Sequence, residues 1–288
     1  MTGPVTGPAV DGGHSLALVL GGGGIAGIAW HTGVLAGLLE SGVDVTGADL
    51  LVGTSAGSTV VAQLGAGRTP AELFERQVDP ATLATELDSG VPLDDLIARL
   101  APIYGARIDA AERRRRLGAM ALGTETVDEA TRRAVIAARL ADAGWTGRRV
   151  EVVAVDTHSG DRRIFDAGSG VDLVDAVAAS CAVPGVWPPV TIDGSRYVDG
   201  GIWSYTNSDR AAGHDRVLVL APLVDPALDE EIAGLPGTPR VEVVVPDEAS
   251  TEAFGVDVLD LAVREPSARA GLLQGRAEAD RVRKLLAD

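Results

Sequence analysis

Short apolar runs that break at small residues and resume at helical spacing set the rhythm of the N-terminal third. Leu16 to Leu20 is a continuous apolar run, the mark of a short buried strand. Glycines follow it, and then Ile28, Val34, Leu35, Leu38 and Leu39 recur at helical spacing, with Gly42 where a C-terminal cap is expected. The stretch "ADLLVGTSAGSTVVAQLGAG" repeats this pattern: strand to Val52, sharp turn, helix to about Leu64. Two successive strand–turn–helix units predict an α/β fold whose mostly parallel sheet carries packed helices.

Residues 68–148 are more polar and read as helices separated by Gly, Pro and Asp, an inserted helical layer that would cover a cleft. "RRVEVVAVD" returns to strand, with "THSG" as a turn and "DRRIFDAG" as its hairpin partner. A helix through "VDLVDAVAASCAVPG" stops before Pro184. Strands follow at Val190–Ile192 and Arg196–Val198, turned by Asp193–Gly194. "RVLVLAPL" and "RVEVVVPD" are further core strands, and the chain reads as helical from Glu248 to its end. Residues 1–14 read as a flexible tail and 15–288 as one domain.

The 288 residues are 46% hydrophobic but only 3% aromatic, a composition of Ala, Val and Leu suited to buried parallel strands. A formal charge of −16 argues against nucleic acid as partner and against docking on strongly anionic membranes. Cys181 is the only cysteine, so no intrachain disulfide forms and a reducing, cytoplasmic compartment is expected. No apolar run is long enough to span a bilayer, and the N-terminus lacks a basic start and an apolar core. Contact with membranes is therefore expected to be peripheral and transient.

Gly53-Thr54-Ser55-Ala56-Gly57 fits G-x-S-x-G, in which a serine is held on a strained strand-to-helix turn. Bulky residues two places to either side would clash, and the helix N-terminus offers free N–H groups to a developing oxyanion. A tight turn capped by the serine hydroxyl is the plainer alternative. "GGGGIAG", Gly21 to Gly27, has two readings. Gly22, Gly24 and Gly27 fit the G-x-G-x-x-G dinucleotide fingerprint, but the next strand ends in a hydroxyl where the ribose carboxylate belongs. No lysine follows the glycines, which excludes a Walker loop, since Lys284 is the only lysine in the chain. An oxyanion hole is the better reading: adjacent glycines present several backbone donors to one point.

A serine nucleophile needs a base. His14, His31, His158 and His214 are the only histidines, and His214 suits a Ser-Asp-His order best. A carboxylate would serve instead. Asp199, in "YVDGG", follows a short strand and precedes two glycines that permit close backbone approach; Asp156 is its rival.

"GGGGIAG", "GTSAGS", "ASCAVPGVWPPV" and "YVDGG", in this order between about residues 16 and 222, resemble the patatin-like phospholipase family. The resemblance implies a three-layer α/β/α fold and a Ser–Asp dyad in place of a triad. Carried over by motif, Ser55 is the nucleophile and Asp199 the base. Gly22, Gly23 and Gly24, with the N–H of Ala56, supply the oxyanion hole; Gly27, Gly53, Gly57, Gly200 and Gly201 support the motifs. It implies no metal and no cofactor, and a substrate among phospholipids, lysophospholipids, neutral glycerides or other acyl esters. One departure is Ala26, where the family usually carries Arg or Lys.

Arg113 to Arg116 spread around a helix and read as a solvated segment, with headgroup docking as the functional alternative. Trp187 fits either an acyl pocket or the core, and Cys181 a small buried position. A serine-dependent lipid acyl hydrolase working through an acyl-enzyme is the function expected. A catalytically silent lipid-binding protein of the same fold and a dinucleotide-binding oxidoreductase are the alternatives.

Overall fold

The computed structural model describes residues 14–141 and 143–287; the tail expected over 1–14 lies, except for His14, outside them. The chain begins β1 (Leu16–Leu20), α1 (Gly24–Glu40), β2 (Leu50–Thr54) and α2 (Ala56–Gly65), the two units expected from the apolar pattern. Four helices follow: α3 (Pro70–Val78), α4 (Leu93–Tyr104), α5 (Ala110–Gly123) and α6 (Glu129–Leu140). Then come β3 (Val150–Asp156), β4 (Arg162–Phe165), α7 (Leu173–Ser180), β5 (Val190–Ile192) and β6 (Ser195–Asp199). The remainder is β7 (Arg216–Leu220), α8 (Leu228–Ala233), β8 (Arg240–Val244), α9 (Glu248–Phe254) and α10 (Arg264–Leu286).

The strands form one sheet in the order β5-β6-β3-β2-β1-β7-β8, with β4 also paired to β3. Strands β3, β2, β1, β7 and β8 run parallel, and β4, β5 and β6 make antiparallel pairs at the β3 side. The central strands β1, β2 and β7 are buried on both faces, as their apolar runs require, while β4, β5, β6 and β8 are partly exposed. Leu16, Leu18 and Leu20 face a large core shared with α1, α2, α7 and α10. Ala17 and Val19 face a thinner one, closed by Leu228, Ile232 and Leu235 around α8. The α/β/α layering is therefore present and lopsided.

Helices α1 and α10 touch backbone to backbone. A Cβ on Gly33 would fall 2.2 Å from the Ala268 carbonyl oxygen, and one on Gly275 would fall 2.2 Å from that of Val34. Glycines on both helices let them pack closer than side chains allow. Trp30, fully buried beside this seam, donates its indole N–H to Gln274 Oε1 at 2.9 Å.

The insertion divides in two. Helix α3 packs on α1 and α10, and α6 on α2 and α7, so both thicken the helical layer. Helices α4 and α5 pack on each other at the site end of the sheet, where Gly118 of α5 abuts the Thr157 backbone. Side-chain caps start these helices: a Thr69–Glu72 capping box on α3, Asp109 on α5 and Asp128 on α6.

The chain is not continuously helical after Glu248. It breaks after Phe254 at Gly255, which takes a φ of 63° that favours glycine. Asp257 and Asp260 then turn the backbone by accepting the N–H groups of Leu259 and Ala262. No helix among the described residues is long and apolar enough to cross a membrane.

Candidate active site

Ser55 stands between β2 and α2 with φ 51° and ψ −114°, a region costly for a residue with a side chain. Its neighbours enforce the turn. A Cβ at Gly57 would lie 1.9 Å from the Leu20 carbonyl oxygen, and one at Gly53 would lie 2.4 Å from Val61 Cγ2. The elbow thus needs glycine at both flanking places. Ser55 donates its N–H to Ser180 Oγ at 2.9 Å, and its carbonyl accepts Ser58 Oγ at 2.6 Å and Cys181 Sγ at 3.2 Å. Cys181 is buried, and burial pushes its thiol pKa up; it braces the elbow as a neutral group.

Asp199 ends β6, and strand register sets it level with Ser55. Thr54 of β2 pairs with Val153 of β3, and the next β3 residue, Ala154, pairs with Asp199 on the other side. The two side chains approach each other across that one strand. Gly200 fits beneath because a Cβ there would meet the Val153 carbonyl oxygen at 2.4 Å, and Gly201 donates its N–H to Asp199 Oδ1 at 2.7 Å. Asp199 is only 5% exposed, and Oδ2 has no hydrogen-bond partner among the described residues. Burial pushes its pKa up to about 6, opposed by the Ser55 hydroxyl and the Gly201 N–H, which favour the charged form. The Ser55 hydroxyl thus favours the charged carboxylate, although no hydrogen bond joins the two side chains among the described residues.

The glycine loop lies against this pair. Gly22 donates its N–H to the Tyr205 carbonyl at 2.8 Å, so it supports the loop rather than offering a donor. The amides of Gly23, Gly24 and Ala56 have no acceptor among the described residues. Gly24 and Ala56 open α1 and α2, so two helix N-termini converge beside Ser55. Gly27 permits that convergence: a Cβ there would sit 3.2 Å from Ala56 Cβ.

A cavity of about 230 Å³ opens onto Ser55, Asp199 and Gly22–Gly24. Its walls are apolar. Leu93, Leu96, Leu100 and Tyr104 present one face of α4, and Leu117, Ile202 and Leu223 complete much of the rest. Val256 to Leu259 form another wall, in the break where continuous helix was expected. Val258 accepts the Ala26 N–H at 3.1 Å, and its carbonyl would lie 2.7 Å from a Cβ on Gly24. With that carbonyl pressed on the loop and no carboxylate ending β2, the dinucleotide reading fails.

The other candidates lie elsewhere. His214 precedes the start of β7, at the sheet end opposite Ser55, a strand length or roughly 16 Å away. Its Nδ1 lies 3.1 Å from the Ala211 carbonyl oxygen. His31 is fully buried and burial drives its pKa down to about 3, so it stays neutral. His14 lies 3.9 Å from Asp215, and Asp156 accepts the turn amides of His158 and Ser159. Arg114 stacks 4.0 Å over Trp203, while Arg115 and Arg116 pair with Glu112. Trp187 does not line the large cavity; it packs with Leu96 and Val186 beside it.

Three supports had no clear signal in the sequence. Ser180 and Cys181 sit inside "ASCAVPG", but nothing in the pattern says they hold the elbow. Asn207, at φ 54°, donates to Thr54 Oγ1 at 3.0 Å and ties the Tyr205 loop to β2.

A family model for patatin-like phospholipases matches residues 18–208, a span holding both loops, Ser55 and Asp199. The chain belongs to the patatin-like phospholipase family. It is 31% identical over 192 residues to an uncharacterized NTE family protein of Mycobacterium tuberculosis, covering 66% of this chain and 27% of that one. The chain thus spans about a quarter of that relative's length. Among solved structures it is similar to VipD of Legionella pneumophila, with a TM-score of 0.47, 15% identity, and 93% and 67% of the two chains covered. It is similar also to the type III effector ExoU of Pseudomonas aeruginosa, with a TM-score of 0.42, 14% identity, and 93% and 53% covered.

Proposed function

We propose that this patatin-like chain is a serine hydrolase of lipid acyl esters, a phospholipase, lysophospholipase or carboxylesterase. The observation that carries this reading is the buried Asp199 carboxylate, with one free oxygen and a pKa near 6, set level with a strained Ser55. A base near neutrality matches the proton it must take. The acyl chain lies along the apolar face of α4, which acts as a lid.

Asp199 Oδ2 takes the Ser55 hydroxyl proton as Oγ bonds to the carbonyl carbon. The carbonyl oxygen becomes an oxyanion held by the amides of Gly23, Gly24 and Ala56; one such donor is worth on the order of 10²–10³ in rate. The carbon–oxygen bond to the alcohol breaks, and Asp199 returns the proton to the leaving alkoxide. Water then attacks the acyl-serine, giving its proton to Asp199. The fatty acid leaves, and that proton goes back to Ser55 Oγ. Ala26 removes a cation from the loop but none of these donors.

Intact-mass labelling with a fluorophosphonate tests the reading. One adduct is expected on the wild type and none on Ser55→Ala. Absence of an adduct on folded wild type, both in buffer and with detergent micelles present to open α4, would overturn it.

A further inference from the structure

A second cavity, about 30 Å³, shares Gly24, Ser55, Val183 and Leu259 with the acyl cavity, and two arginines enter its otherwise mostly apolar wall. Arg132 and Arg139, two turns apart on α6, both turn inward to it. Their side chains are 6% and 9% exposed, and both grip one carboxylate, Glu86, itself 5% exposed. Arg132 Nη1 donates to Glu86 Oε1 at 2.9 Å, and Arg139 Nη2 donates to Oε2. The Arg132 guanidinium lies 3.7 Å from the Trp187 ring centre, and its Nε is buried without a partner among the described residues. Glu86 does not line this second cavity; it faces a further one of about 20 Å³ beside Arg139, where it is the only carboxylate among the described lining residues and Arg76 and Arg264 are the other cations.

The charges do not balance. Two buried guanidiniums share one carboxylate, in a protein whose overall charge is −16. Burying cations is repaid only by well-placed anions, so this site is short of negative charge. It is also next to the nucleophile: Arg139 Nη1 reaches Thr59 Oγ1 at 3.5 Å, Thr59 Oγ1 lies 3.8 Å from Cys181 Sγ, and Cys181 donates to the Ser55 carbonyl. Glu86 comes from the segment between α3 and α4, which has no helix or strand there, so it can leave without breaking either element.

We propose that Arg132 and Arg139 form an oxyanion subsite for the phosphate of a glycerophospholipid substrate, filled by Glu86 when no substrate is bound. This rests on the hydrolase reading above. The planar guanidiniums suit the paired oxygens of a phosphodiester as they suit Glu86. In such a lipid only the glycerol carbons separate the scissile ester from the phosphate. With the acyl chain along α4, the headgroup then enters on the α6 side, and Glu86 is exchanged for it. A neutral glyceride has no group to displace Glu86.

Two readouts on the 288-residue chain test this. The first is thermal unfolding with inorganic phosphate. Glu86→Gln leaves two buried arginines without their anion, so its Tm is expected to fall, and millimolar phosphate to restore it by several degrees. Phosphate should shift the wild type far less, and should not rescue the Glu86→Gln/Arg132→Met double variant. The second is the ratio of kcat/KM for dodecanoyl lysophosphatidylcholine to that for monododecanoylglycerol. That ratio is expected to drop at least about tenfold in Arg132→Met, the scale of one charge-assisted hydrogen bond.

A phosphate-restored Tm with an unchanged substrate ratio would assign the site to free phosphate and overturn the headgroup assignment. No rescue of folded Glu86→Gln would overturn the subsite itself. If Arg132→Met fails to fold, Arg132→Lys carries the same comparison, because a point charge cannot reproduce the fork. Failure of the hydrolase reading is seen separately, as no fluorophosphonate adduct, and the phosphate rescue can still be read on Ser55→Ala.

Discussion

The N–H of Ser55 donates to the hydroxyl of Ser180 at 2.9 Å, joining residues 125 positions apart. That bond decides two things. It leaves the Ser55 amide out of the proposed set of oxyanion donors, and it fixes the strained peptide from the end of α7. The helix that carries "ASC" is thus a clamp on the elbow, and none of its residues lines the 230 Å³ cavity.

Ser180→Ala is expected to act on turnover more than on binding. It leaves the Ser55 amide buried without an acceptor, a loss of about 1–3 kcal/mol. The elbow loosens, so kcat should fall roughly tenfold or more while KM for a p-nitrophenyl ester changes little. A raised KM with kcat unchanged would make Ser180 a binding residue instead.

In the proposed mechanism Asp199 must be ionised to take the Ser55 proton. With its pKa pushed up to about 6 by burial, log kcat/KM should be flat above neutrality and fall with unit slope below about pH 6. His31, held near 3, adds no limb in this range. An acid limb near 4 in the pH–rate profile would show that the carboxylate is solvated in the working enzyme.

The same shift destabilises the fold. The native Asp199 binds its proton up to about pH 6, against an ordinary value of 3.8, so its contribution is most favourable below about pH 4 and is lost as the pH rises through 6. At pH 8 the buried charge costs on the order of 3 kcal/mol. Asp199→Asn should therefore unfold at higher temperature than wild type at pH 8, with the gain vanishing towards pH 4. Thermal melts at the two pH values check it.

Much of this architecture was legible from periodicity and punctuation. Apolar runs located β1, β2, β3 and β7, because strands buried on both faces are apolar along most of their length. The G-x-S-x-G spacing marked the elbow, because the packing around Gly53 and Gly57 leaves no room for a Cβ. What stayed hidden was long-range. The commitment of Gly22 to Tyr205, the Ser180 clamp, and the cover of Val258 over the glycine loop each join segments far apart in sequence. The break after Phe254 was missed because one glycine and two turn aspartates interrupt a stretch otherwise rich in helix formers. Nothing in the sequence joins Arg132 and Arg139 of α6 to Glu86 of the α3–α4 connection, because the group forms only when the two segments pack together.

The glycine seam between α1 and α10 should tolerate no side chain. In Gly275→Ala the new Cβ falls 2.2 Å from the Val34 carbonyl oxygen, so the helices must part, at a cost of about 1–3 kcal/mol or more. Gly123→Ala, near the end of α5 with nothing within 4 Å, should instead be neutral or slightly stabilising. Chemical denaturation of the two variants gives the contrast. Equal stabilities would mean that α10 is held by its ends rather than by this seam.

Acyl length should be read by α4. Leu93, Leu96, Leu100 and Tyr104 present a single face to the roughly 230 Å³ cavity, and Leu100 lies mid-helix. Leu100→Trp fills space that a long chain would occupy. Each methylene excluded from an apolar wall is worth about 0.8 kcal/mol, so a few of them multiply into a large discrimination. The ratio of kcat/KM for p-nitrophenyl dodecanoate to that for p-nitrophenyl butanoate should fall at least about tenfold in Leu100→Trp. An unchanged ratio would place the acyl chain along Val256 to Leu259 instead, and would make α4 a cover that substrate does not touch.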